Sequence, residues 1–235
     1  MKIRNLKKKF GFTAENLSRI KKAVEQAEKG TEGELVVAVT PSSSFYTAWE
    51  LLFALFFSFF SLALMIVFSS GIENCLRHIF WQVNAYSVPL FMMVVMCVVF
   101  VLAYLFANLP FMDRLIVKRR VMNQFVHSKA LKQFVLSDVY STKKRTGVLI
   151  FVSILERNVQ VVCDKGVLAS SEQSEWDKIA SELAVGFKQK NPTDSIVVAV
   201  EKCGAIFKKN FPLADATIQE NELPDGIVFI EGGEI

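Results

Sequence analysis

Two apolar runs free of charged side chains, residues 51–68 and 90–107, constrain this chain more than any other feature. Each holds about 18 residues, and at ~1.5 Å rise per residue a helix of that length comes close to crossing the ~30 Å hydrocarbon core of a bilayer. A helix packed at the surface of a soluble core would keep one polar stripe. The first run has only Ser58 and Ser61 as polar side chains, and the second only Tyr104 and Cys97. Membrane-spanning helices over 51–69 and 89–109 are therefore predicted, rather than two central helices of a large soluble core. The first run follows a charged amphipathic segment, so it is not read as a cleavable leader.

Basic residues set the expected orientation. Lys2, Arg4, Lys7, Lys8 and Lys9 precede the first run, Arg114, Lys118, Arg119 and Arg120 follow the second, and the intervening loop holds only Arg77. Positive charge favours the cytoplasmic side, which predicts a two-span hairpin in the cell membrane. Both termini are then cytoplasmic, the loop over 70–88 is external, and Trp81 and Tyr86 lie near the interface. The formal net charge of +4 is concentrated beside the spans. It suits anionic headgroups, and without interleaved stacking aromatics it does not read as a nucleic-acid surface. Cys75, Cys97, Cys163 and Cys203 have neither CxxC nor Cys/His metal spacing, so no disulfide framework is implied.

The flanks, divided as 1–12, 13–41 and 112–213, read as one mixed α/β domain interrupted by the hairpin. Thr13 is placed to cap a helix carrying Leu17, Ile20, Val24 and Ala27, which Gly30 would stop. Residues 34–39, ELVVAV, read as a buried strand, and Pro41 with Ser42, Ser43 and Ser44 as a linker. A loosely periodic helix is expected over 115–134. Residues 147–155 and 159–163 read as an antiparallel hairpin turning at Glu156, Arg157 and Asn158. A helix opened by Ser170 and Gln173 and bearing Trp176 follows, then another begun by Pro192, Thr193 and Asp194. The acidic end, 214–235, reads as a mobile tail from residue 221 on. A first strand left alone would expose unpaired backbone groups, so it must rejoin the later strands, with both flanks on one side of the membrane.

At these elements the chain resembles the TPM-domain family, named for plant thylakoid-lumen and photosystem-repair proteins and for a modulator of a levamisole receptor. The likeness lies in Thr31, Glu32, Gly33 and Glu34 running into LVVAV, in Arg145 and Thr146 before GVLIFVS, and in ERNVQVVCDKG from Glu156. Trp176, Phe211 with Pro212, and Asn221, Glu222 and Leu223 are also similar to bacterial membrane members. The resemblance implies an α/β/α sandwich, here with the two-helix transmembrane hairpin inserted after the first strand. It implies no single activity, since members range from proteins with acid phosphatase activity to accessory factors of membrane complexes.

A metal-dependent phosphatase would need clustered carboxylates to hold Ca2+ or Mg2+ and polarise a phosphate. Glu34, Glu156 and Asp164 are the candidates as metal ligands, Asp164 and Glu156 as catalytic groups. Many soluble relatives carry Asn or Asp just before the strand at Gly147, where this chain has Arg145 and Thr146. Structural uses outweigh catalysis for all three: a strand start for Glu34, a solvated turn for Glu156 and a capped turn for Asp164. His78 and His127 belong to different segments, and no GxSxG, Walker or GxGxxG motif is present. No charged residue lies within either run to mark a transport path. The expected role is an accessory or interaction module partnered by the bilayer and another membrane protein, with a weak divalent-cation-dependent phosphatase as the alternative.

Overall fold

The computed structural model describes residues 3–79, 84–109, 111–189, 191–213, 223 and 225–233. Trp81 and the Asn221–Glu222 pair of the resemblance lie outside them. The chain forms two compact units, one from residues 1–45 with 120–235 and the other from 46–119.

The first unit is built on a four-stranded sheet of order β3-β2-β1-β4, with β1 Glu34–Thr40, β2 Gly147–Ser153, β3 Asn158–Cys163 and β4 Ile227–Phe229. β1 runs parallel to β2 and β4, while β2 and β3 form the expected antiparallel hairpin. The first strand thus rejoins the later ones as required. Alternation sends Leu35, Val37, Val39, Val148, Ile150 and Val152 into one core and Val36, Ala38, Leu149 and Phe151 into another. Apolar side chains are therefore needed at successive positions, which explains why ELVVAV and GVLIFV read as continuous runs.

Helices cover both faces. The first core takes α2 Ala14–Glu28, α9 Gln173–Lys188 and α10 Pro192–Asn210, while the second takes α7 Arg119–Leu136. A short α1 Ile3–Lys9 adds Leu6 to the first core. Thr13 caps α2 by accepting the Asn16 amide at 3.2 Å, and Gly30 follows the helix with φ at 75°, as the sequence predicted. α10 begins at Pro192, also as expected.

Three expectations are corrected. α9 starts at Gln173 behind Glu172, and Ser170 instead ends a separate helix, α8 Lys165–Ser170. The adjoining Ser171 hydroxyl accepts the Trp176 indole N–H at 2.9 Å, so this serine serves the tryptophan rather than a capping box. The helix expected over 115–134 breaks at Val117 into α6 Asp113–Ile116 and α7. The acidic end is no simple mobile tail, because Ile227, Val228 and Phe229 pair with Val37, Ala38 and Val39. Three apolar residues are too few to show a period, and the open edge of β1 supplies their ladder.

Gly147 illustrates how tightly the sheet is joined. A Cβ built there would overlap the Val139 carbonyl oxygen and Cγ1, held by a short 3-10 turn over Val139–Ser141. Gly147→Ala is expected to cost about 2 kcal/mol by overpacking a backbone group that cannot rotate away. Thermal unfolding of the full chain in mild detergent would read this, and a transition unchanged within error would refute it.

In the second unit, α3 Thr47–Val67 and α5 Ser87–Ala107 pack together, joined by α4 Ser69–Ile79. Both long helices start before their predicted bounds, and much of the expected loop is helical. Ala54, Ser58, Met92 and Ala107 are buried, and the Ser58 hydroxyl donates to the Met96 carbonyl at 3.2 Å. That contact meets in an apolar setting one of the few side-chain polar groups present. Phe56, Phe59, Val98 and Leu102 are more than half exposed. α3 and α5 are long and apolar enough to cross a membrane, and only 17% and 11% of their most apolar stretches are buried. A central helix of a soluble core would be mostly buried.

Candidate functional site

Polar side chains gather at the two ends of the parallel pair β1–β2. At the end where these strands begin, Glu34 stands opposite Gly147. The Asp164 amide donates to the Gly147 carbonyl at 2.9 Å from the other side. With strands ~4.8 Å apart, the Glu34 and Asp164 backbones are separated by about 10 Å across β2.

Pieces of the family resemblance that are remote in sequence meet here. The Glu32 amide donates to the Phe211 carbonyl at 2.9 Å, Thr31 bridges Pro212, and the Thr146 hydroxyl donates to the Glu32 carbonyl. Lys144 pairs with the Glu32 carboxylate. A Cβ on Gly33 would enter the Phe207 ring, so this glycine is required by packing.

Asp164 caps α8, its Oδ1 accepting the Lys165 amide at 2.7 Å. Its buried Oδ2 has no hydrogen bond and lies 3.9 Å from the Arg145 guanidinium, which is largely exposed. Arg145 has a φ of 59°, a left-handed conformation that turns the chain into β2. Glu28, at the end of α2, is buried and accepts the Leu35 amide at 2.7 Å. Burial pushes its carboxyl up to about 8, partly opposed by the Leu35 N–H and reinforced by Glu34, Asp225 and Glu25.

Glu156 sits at the opposite end. One carboxylate oxygen accepts the Ser43 amide at 2.8 Å and the other the Ser153 hydroxyl, while Ser43 and Ser153 lie 2.8 Å apart through their hydroxyls. Nearby, the buried Lys129 ammonium donates to the carbonyls of Ser42 at 3.1 Å and Glu231 at 2.9 Å, and the Thr40 hydroxyl reaches the same two oxygens. This network ties the segments leaving β1, β2 and β4 to α7. Glu156, expected as part of a solvated turn, is instead held in it.

The three sequence-derived carboxylates are thus not one site. Seven-residue strands separate Glu156 from Glu34 and Asp164, a distance of roughly 20 Å. Among the described residues no three His, Cys, Asp or Glu side chains converge as a metal ligand set. A Ca2+ ion takes 6–8 oxygen ligands at about 2.4 Å, and the expected set does not fit it. Glu28 and Lys129 fall outside the sequence candidates Glu34, Glu156 and Asp164. Both fall in phase with an apolar stripe, Glu28 beside Val24 and Ala27 and Lys129 beside Val126 and Ala130, and a charge in that phase was the available signal.

Fold and site together define a mixed α/β protein with an open four-stranded sheet and an inserted pair of apolar helices. No protein-family model and no curated protein matches the chain. Among solved structures, it is similar to the NMR structure of BA42 protein from the psychrophilic bacterium Bizionia argentinensis. The TM-score is 0.53 at 20% identity, over 92% of this chain and 94% of that one. At such identity the likeness is one of fold alone.

Proposed function

We propose that α3 and α5 anchor the chain in the cell membrane as a two-span hairpin, with both termini and a TPM-like α/β/α domain in the cytoplasm. That domain works as an accessory or interaction module for another membrane protein. The bilayer reading draws on the exposed apolar surface of α3 and α5. The flanking basic residues favour the cytoplasmic side, and the pairing of β1 with β2 keeps both ends of the insertion on one side.

The observation that carries the accessory role is the dispersal of the carboxylates. Glu156 binds Ser43 and Ser153 at one end of the sheet, and Asp164 caps α8 at the other. These two carboxylates each have a local backbone or hydroxyl group to serve. A phosphatase would instead require them to converge on one phosphate.

The test is phosphate release from a generic phosphomonoester by full-length protein in mild detergent, with calcium, magnesium or chelator, beside Asp164→Ala. The expected result is no metal-dependent release above that of the variant. Metal-dependent turnover that the variant abolishes, with the fold retained, would overturn the accessory reading in favour of a phosphatase.

A further inference from the structure

The segment joining the two apolar helices is itself built for a surface. α3 has 21 residues, so at ~1.5 Å each it spans about 31 Å and uses up the hydrocarbon thickness before α4 begins. Only Phe68 separates the two helices, and the Ile72 amide donates to the Phe68 carbonyl at 3.1 Å. α4 contacts both α3 and α5.

Its sequence, SSGIENCLRHI, divides cleanly at 100° per residue. Ser69, Ser70, Glu73, Asn74, Arg77 and His78 occupy one half of the wheel, and Ile72, Cys75, Leu76 and Ile79 the other. Leu76 is buried against the hairpin, whereas Cys75 and Ile79 of the same apolar half are exposed. On the polar half, Arg77 pairs with Glu73 at 2.7 Å and the His78 ring bonds the Asn74 carbonyl at 2.8 Å. The exposed apolar stripe continues that of α3, whose last residue Val67 and the following Phe68 are 74% and 64% exposed. Tyr86, just before α5, is 82% exposed, and tyrosine favours headgroup depth.

We propose that α4 is an interfacial helix, lying in the leaflet opposite the start of α3 with Cys75 and Ile79 toward the acyl chains and Asn74 and Arg77 toward water. The partner is the headgroup and acyl boundary of a bilayer, which accepts amphipathic helices at shallow depth. This inference rests on the spanning reading of α3 and α5. It goes further in making the external segment a second, shallow membrane contact instead of a solvated loop.

The native cysteines make it testable. Cys97 lies midway along α5, Cys75 on the apolar half of α4, and Asn74→Cys would place a thiol on the polar half. Full-length protein in phosphatidylcholine–phosphatidylglycerol vesicles would carry an environment-sensitive fluorophore at one of these positions, with the other cysteines replaced by Ala. Lipids spin-labelled near the headgroup or deep in the chains serve as quenchers. The label at 75 should be quenched about twofold more by the shallow lipid than by the deep one, and the label at 74 by neither. A measurement that spares the core thiols compares the native chain with the same chain carrying Asn74→Cys, using charged maleimide and peptide mass mapping. Position 74 should react about tenfold faster than Cys75.

Equal, water-like behaviour at 74 and 75, or deep quenching at both, overturns the interfacial helix. Shielding of 75 without quenching by either lipid overturns it too, in favour of a protein partner. In all three cases deep quenching at Cys97 leaves the spanning hairpin standing. Absence of deep quenching at Cys97 overturns the hairpin and this inference together.

Discussion

Glu28→Gln should leave the protein more stable than wild type at pH 8 and close to it at pH 4. The unfolded chain releases the Glu28 proton near pH 4.5, whereas burial in the folded protein holds it to about pH 8. Between those values the folded state binds more protons, so stability falls as pH rises, by ~1.4 kcal/mol per pH unit. The loss amounts to about 3 kcal/mol by pH 7 and levels off above pH 8. Gln retains an oxygen for the Leu35 amide and has no proton to lose. Thermal unfolding in detergent across pH 4 to 8 should show the variant's advantage growing with pH. An advantage that stays constant would mean that the carboxyl ionises normally.

Trp176→Ala is the other substitution of large effect. The indole is fully buried between the sheet and α10, meets the Phe207 ring at 6.3 Å between centroids and donates to Ser171. Truncation removes its buried area and leaves a cavity, for an expected loss of 3–5 kcal/mol, roughly. Trp176→Phe refills much of the space and gives up the hydrogen bond, costing about 1–2 kcal/mol. Denaturant unfolding of the full chain would order the three proteins. Equal midpoints for Trp176→Ala and wild type would show that this core is not the one that holds the fold.

These two positions also mark what the sequence discloses. Trp176, Ile179 and Leu183 repeat along one helix face, and β1 and β2 show unbroken valine-rich runs, so the helices and central strands were legible. Thr13, Gly30 and Pro192 gave boundaries through local chemistry that needs no tertiary partner. β4 was not legible, because three residues acquire strand character only from the edge of β1. α4 is not legible either, because its apolar stripe is short.

The candidate site fared differently. Glu34, Glu156 and Asp164 are all near strand ends, as read, but strand ends come in two sets and the sequence does not say which set each joins. Parallel pairing of β1 with β2 puts Glu34 at one set, and the hairpin turn puts Glu156 at the other. Lys129 lies far along the chain from the carbonyls of Ser42 and Glu231 that it holds, and only the folded backbone brings the three together.

The position of β1 also bears on how the chain is made. It leaves the ribosome ahead of residues 46–119, yet both strands that flank it, β2 and β4, are synthesised after them. No local hairpin can shelter β1 in the meantime, so its apolar side chains and both backbone edges must wait until the intervening helices have emerged. Translation order therefore leaves the early chain with an unpaired apolar strand, and it places closure of the sheet after synthesis of the two apolar helices.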